Sequence, residues 1–243
     1  SIRLLAEDHP SNQLAIGKAG GVAPLIMWLS GGFDARSFNA DAQTEAAHAL
    51  LALATNAPLL QEAIAKANGI PPLIELVSSE RLETQNHAAR CLWHLAGNGE
   101  VGSVIAEAGG VQPLVAMLSL EDTHAQELAA VVICRLSRSN PSVSLVISEA
   151  GGIAPLVGLI KHGSAAAQQQ AAAALAEVAL APANRDAICS AGAVPPLVGL
   201  LSSKVIGTPE TAARALARLA LDTRECGDDG GAEEDDDDGS AAA

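Results

Sequence analysis

Gly20-Gly21-Val22-Ala23-Pro24-Leu25 returns four more times along the chain: Asn68-Gly69-Ile70-Pro71-Pro72-Leu73, Gly109-Gly110-Val111-Gln112-Pro113-Leu114, Gly151-Gly152-Ile153-Ala154-Pro155-Leu156 and Gly192-Ala193-Val194-Pro195-Pro196-Leu197. From Pro24 through Pro72, Pro113 and Pro155 to Pro196 the steps are 48, 41, 42 and 41 residues. A period of that size marks an all-helical solenoid. Other positions keep the same step. Ile16, Ile64, Ile105, Ile147 and Ile188 run in phase, as do Leu92, Ile133, Leu175 and Leu216 twenty residues after each proline. In the first repeat the matching Leu50 comes twenty-six residues after Pro24, so six residues have been inserted there, within Ser30 to Ala40.

Each unit reads as three helices. A short first helix, such as Val101 to Ala108, stops at glycine, which can adopt the left-handed conformation that closes a helix. The second helix, such as Pro155 to Ile160, opens at once with proline in its first turn, where the missing N–H costs no hydrogen bond. It is almost wholly apolar and is expected to be buried between the other two. The third helix is longer and rich in alanine: Thr84 to Ala96, Ala125 to Ser137, Ser164 to Ala179 and Thr208 to Leu221. Thr208 before Pro209 reads as a capping hydroxyl. Small residues at Ala49, Cys91, Val132, Ala174 and Ala215 would let neighbouring third helices approach closely. One repeat cannot cover its own apolar second helix, so stability must come from stacking.

This pattern, a short helix, a glycine bend, an apolar helix with proline in its first turn, then Ala-Ala-x-Ala-Leu-x-x-Leu-Ala as at Ala46 to Ala54, Ala88 to Ala96 and Ala212 to Ala220, closely resembles the armadillo repeat. Looser copies lie at Ala129 to Ser137 and Ala171 to Ala179. The repeat style is closest to that of vacuolar-membrane adaptor and plant armadillo proteins. The resemblance implies an all-α, right-handed solenoid. It divides the chain into the end of a truncated repeat (1–9), a repeat with an insertion at 30–40 (10–55), four further repeats (56–97, 98–139, 140–180, 181–221) and an acidic tail (222–243).

It also implies where a ligand sits. Armadillo proteins line a concave groove with their third helices and bind extended peptides there. Nuclear import receptors and catenins place Trp-x-x-x-Asn on that surface, the asparagine clamping the peptide backbone. Here the tryptophan positions hold His48, Arg90, Val131, Ala173 and Arg214, and the asparagine positions Ala52, His94, Arg135, Glu177 and Arg218. The row that remains, Arg90, His94, Arg135, Arg214 and Arg218 with Trp93 beside it, suits carboxylates or phosphates. An acidic or phosphorylated segment is the ligand it predicts, against the plainer reading of a solvated helix face.

Charge is divided unevenly. Up to Leu221 there are 13 Lys and Arg against 18 Asp and Glu, and from Asp222 onward 1 against 10. The tail, with Glu233 to Asp238 unbroken acid, reads as disordered and solubilising, and a fold-back over Arg214 and Arg218 is the alternative. Such acidity argues against direct nucleic-acid binding. The insertion carries both phenylalanines, Phe33 and Phe38, read either as an anchor for a partner or as a pair that folds back on its own repeat. Trp28 aligns with Leu76, Met117, Leu159 and Leu200 and is expected in the core.

Little in the chain points to catalysis. The paired glycines follow helices rather than strands, no Gly-x-x-x-x-Gly-Lys is present, and no Ser, His and Asp group recurs at a turn that could present a nucleophile. His87 and Cys91 stand one helical turn apart with His94 near them, but Cys91 takes the small core position, so no metal is expected; no cofactor is expected either. Four scattered cysteines fit reduced thiols, no run of eighteen apolar residues exists, and no signal peptide opens the chain. The expected protein is a monomeric, non-catalytic scaffold or adaptor, cytoplasmic and also nuclear. Ile2 to Ala6 read as the end of a preceding third helix, and the chain as a fragment. An importin-like transport receptor and the targeting arm of a larger enzyme, such as a U-box ubiquitin ligase, are the alternatives.

Overall fold

The computed structural model describes residues 2–7, 9–31 and 39–222. Among them every regular element is helical. A short opening helix, α1 (Ile2–Ala6), precedes five groups of three. They are α2 (Pro10–Lys18), α3 (Val22–Leu29) and α4 (Ala40–Ala54); α5 (Pro58–Lys66), α6 (Ile70–Val77) and α7 (Leu82–Leu95); α8 (Gly99–Glu107), α9 (Val111–Met117) and α10 (Thr123–Ser139); α11 (Val143–Glu149), α12 (Ile153–His162) and α13 (Ala165–Val178); and α14 (Pro182–Ser190), α15 (Val194–Leu200) and α16 (Thr208–Leu219). A 3-10 turn, Ala220–Asp222, follows α16. This is the armadillo-type α-solenoid. Phe33, Phe38 and the acidic tail from residue 223 lie outside the described residues.

The recurring phrase acts through backbone hydrogen bonds. Each first helix ends on a residue with positive φ: Gly20 (78°), Asn68 (60°), Gly109 (81°), Gly151 (76°) and Gly192 (76°). That residue returns its N–H to the carbonyl three back, as Gly151 does to Ser148 (2.9 Å). The next residue returns its N–H to the carbonyl five back, as Gly152 does to Ile147 (2.9 Å). This pair of bonds is the Schellman closure, which satisfies carbonyls a helix end would leave orphaned. The left-handed position is thus the first of each pair, and the second, Gly152, has an ordinary helical φ of −69°.

Gly152 is constrained by space instead. A Cβ there would lie 2.8 Å from Ile147 Cγ2, 3.0 Å from the Ile147 carbonyl oxygen and 3.1 Å from Val115 Cγ2 of the preceding repeat. Gly21, Gly69 and Gly110 meet the same isoleucine methyl, of Ile16, Ile64 and Ile105, at 2.7–2.8 Å. The last repeat shows what a methyl does here. Ala193 occupies this position, and its bond to the Ile188 carbonyl lengthens to 3.3 Å.

The proline follows from the same geometry. Pro24, Pro72, Pro113, Pro155 and Pro196 are each the third residue of the second helix, the last place whose N–H has no carbonyl four back. The next residue is the leucine, whose N–H makes the first helical bond, as from Leu156 to Gly152 (3.2 Å) and Leu197 to Ala193 (3.1 Å). Its side chain is buried in all five repeats.

The bend sets the second helix across the first and delivers the chain to the third. Third helices pack on one another in the order α1, α4, α7, α10, α13, α16. Their contact positions carry the small side chains of Ala49, Cys91, Val132, Ala174 and Ala215, all buried. Polar groups close the remaining helix ends: the buried Gln61 donates from Nε2 to the Ala54 carbonyl (2.8 Å), and the buried Asn184 from Nδ2 to those of Ser144 (2.9 Å) and Val178 (3.1 Å). Two expectations need correction. Trp28 packs against the core but is only half-buried, lining a surface cleft with Ile2, Leu25 and Glu45. Thr208 does not cap α16: the cap is Gly207 in a left-handed turn (φ 84°), which makes Thr208 the first helical residue and leaves its hydroxyl without a hydrogen bond.

Two substitutions separate the demands of the bend. Gly152→Val should destabilise the stack by roughly 2 kcal/mol through overpacking. Gly151→Ala meets no atom within 4 Å and should cost only the left-handed strain, about 1 kcal/mol. Urea titration followed by circular dichroism measures both; equal losses would mean that space at Gly152 is not limiting.

Candidate functional site

A ladder of third helices presents one residue per repeat at each level, so the groove is built by register. On α7 the two expected positions are Arg90 and His94, one helical turn apart; on α10 Val131 and Arg135; on α13 Ala173 and Glu177; on α16 Arg214 and Arg218. The first level is open: Arg90 and Arg214 are exposed. A cleft of about 260 Å³ lies at the Arg90 end, walled by Glu7, His48, Leu51, Ala52 and Thr55.

At the second level the side chains turn sideways and engage the third helix of the repeat before. His94 Nε2 lies 3.3 Å from Thr55 Oγ1, at the end of α4. The Arg135 guanidinium lies over the Trp93 ring of α7, 4.4 Å from its centroid, within the range of a cation–π contact. Gly97, one turn beyond Trp93, makes this possible, because a Cβ there would collide with the guanidinium. Arg218 Nη1 donates to the Ala176 carbonyl (2.6 Å) and pairs with Glu177 Oε2 (2.9 Å), a carboxylate that is itself buried. Three of the six expected groove residues therefore hold the stack together, and a fourth, Trp93, supplies the surface that Arg135 covers.

Electrostatics agrees with this division. His94 is pushed down to about 4, first by burial and then by Arg135 and Arg90, so at neutral pH it is an uncharged imidazole. His87 is likewise pushed down to about 4 by burial, with His48 second; the two rings lie tilted by 38° with centroids 4.0 Å apart. Neither adds positive charge to the groove. Burial pushes the Cys91 thiol up to about 12, which keeps it a protonated core residue. Among the described residues no single helix is long and apolar enough to cross a membrane. The one apolar pair that reaches the length, α11 with α12, is bent by 82° at the Gly151-Gly152 closure.

The groove's geometry and the repeat agree with what other proteins show. The armadillo/beta-catenin-like repeat profile matches residues 58–97, 139–179 and 181–221, together half of the chain. The chain belongs to the armadillo repeat family. Among solved structures, one engineered protein superposes with TM-score 0.84 at 33% identity over 90% of this chain, which spans about half of its length (52%). A second engineered protein gives TM-score 0.83 at 33% identity, covering 90% of this chain and 87% of its own. A designed armadillo repeat protein solved in complex with the peptide (KR)4 gives TM-score 0.81 at 24% identity, covering 90% of both chains, a likeness of fold alone. No curated protein sequence matches the chain.

Two measurements test the role of the second level. Arg135→Ala should lower stability by about 1 kcal/mol, the worth of a partly buried cation–π contact, and should change the emission of Trp93; unchanged stability and emission would show that the contact does not form. The imidazoles carry a pH signature. Their folded-state pKa lies below the unfolded value, so the unfolded chain binds more protons between pH 6.5 and about 4. Their contribution is complete above pH 6.5 and lost as pH falls through that window. His87→Gln with His94→Gln should flatten the stability profile between pH 6.5 and 5, and a profile that keeps its slope would contradict these shifts.

Proposed function

We propose that this protein is a non-catalytic scaffold that holds an extended, acidic or phosphorylated segment of a partner in the groove of its third helices. The supporting observation is the pair of exposed arginines, Arg90 on α7 and Arg214 on α16, which stand at the same level of the ladder three repeats apart. Exposed guanidinium groups spaced along one face match repeated carboxylates or phosphates on an extended chain, each contact shallow and their sum selective. The designed armadillo protein solved with (KR)4 holds a basic peptide; the arginines of this chain's ladder would repel such a peptide and attract an acidic one. As a scaffold of this kind the protein works in the cytoplasm or nucleus, in the manner of the adaptor-type armadillo proteins whose repeat style it shares.

The test avoids the arginines that hold the stack. Arg90→Glu with Arg214→Glu should abolish binding of a fluorescent Glu- and phosphoserine-containing peptide, with helix content unchanged, while Arg218→Glu would unsettle the fold by placing a second carboxylate against Glu177. Fluorescence anisotropy at low salt reads the affinity. Retained affinity in the double variant, or preference for a (KR)4 peptide, would refute the acidic-segment reading; the second result would favour a transport-receptor role.

A further inference from the structure

At the two ladder levels and the position just before the second, α13 carries Ala173, Ala176 and Glu177, where α7 carries Arg90, Trp93 and His94. All three of the α13 residues are buried. Both α10 and α16 pack on α13, and their longer side chains flank this stretch without bulk. On α10 the positions that are not buried run Val131, Cys134, Arg135 and Arg138, the spacing of one helix face. Arg138 thus stands on the groove side one turn beyond Arg135, outside the two levels that the armadillo pattern assigns to ligands. It is exposed, as Arg214 is, and among the described residues neither makes an ion pair or a side-chain hydrogen bond.

Charge gathers around Cys134, which takes on α10 the place of Trp93 on α7. Burial and then Glu177 push its thiol up, while Arg138, Arg214 and Arg218 draw it down. Guanidinium groups from two helices therefore act at one point, three of them against a single carboxylate. That carboxylate is already taken, since Glu177 pairs with Arg218 (2.9 Å). Arg138 and Arg214 are left without a counter-ion. The neighbouring Arg135 feels the surplus: burial first and Arg138 second pull its pKa down. One carboxylate would cancel one of the two free charges. A phosphorylated side chain brings about two negative charges and three acceptor oxygens, the complement of two guanidinium forks.

We propose that Arg138 and Arg214 together take one phosphorylated serine or threonine of the partner segment, held above the alanines of α13. The assignment rests on the acidic-segment reading of the groove and sharpens it. The segment carries its phosphoryl group toward the α16 end and meets Arg90, at the other end, with an ordinary carboxylate. Arg138 is then the residue that selects phosphoryl over carboxyl.

A set of peptides of one acidic sequence, with phosphoserine replacing glutamate at each position in turn, separates this from the broader reading. Fluorescence anisotropy with the full chain should find one position at which phosphoserine binds at least roughly tenfold tighter than glutamate. Arg138→Gln should erase most of that ratio. Arg90→Gln should weaken the phosphoserine and glutamate peptides alike and leave the ratio intact. Circular dichroism checks that the Arg138→Gln chain keeps its helix content; should it not, Arg138→Lys, which keeps the charge and loses the fork, should give an intermediate ratio. If phosphoserine gains nothing at any position, or the ratio survives loss of Arg138, the phosphoryl site is overturned and the acidic groove stands. If no peptide of the set binds, both readings fall. Binding to phosphoinositide vesicles that Arg138→Gln abolishes, with no preference among the peptides, would move the phosphoryl group to a lipid and overturn the proposal as well.

Discussion

The return of one N–H to the carbonyl five residues back is the constraint from which the rest of this structure follows. At Gly21, Gly69, Gly110 and Gly152 that bond lies against an isoleucine methyl, Ala193 makes the same bond, and each turns the chain without a linker. Only then does proline fall where its missing N–H is harmless and leucine where it points into the core. The closure needs two different things from two adjacent residues, a left-handed backbone from the first and little bulk from the second. Asn68 satisfies the first and Ala193 the second, so the paired glycine is sufficient rather than obligatory at either place.

Because the closure is local, each repeat depends on its neighbours for burial and for side-chain contacts, not for backbone hydrogen bonds. Among the described residues, backbone hydrogen bonds outside the helices reach no further than five positions, and those joining one repeat to another come from side chains. This division explains why the third helices are rich in alanine and the bends in branched residues. Small side chains set the distance between repeats, while Ile26, Ile74 and Val115 fill the next bend. Stability is then close to a sum over repeats and their interfaces.

The period, the order of helices and the buried leucines were legible because each is repeated five times and chance does not keep phase. What was hidden lies in single residues. Which glycine of a pair is left-handed depends on φ, and glycine tolerates both signs, so Gly151 and Gly152 look alike in sequence. Helical register puts Arg135 and Arg218 at one level of the third-helix ladder. It does not show that a long side chain lying flat reaches the preceding helix, where Trp93 and Glu177 wait. A signal for the first existed in Gly97, a residue without bulk one turn after a tryptophan inside an otherwise alanine-rich pattern.

Since, among the described residues, no hydrogen bond from backbone to backbone joins one repeat to the next, the curvature of the groove belongs to side chains. Bent along its length, such a molecule behaves as a row of stiff blocks joined by compliant hinges. The hinges at Thr55–His94, Trp93–Arg135 and Glu177–Arg218 each have their own stiffness. A long ligand would therefore meet a surface whose pitch can stretch or tighten hinge by hinge, and a single side-chain exchange at one hinge would retune the spacing of everything beyond it.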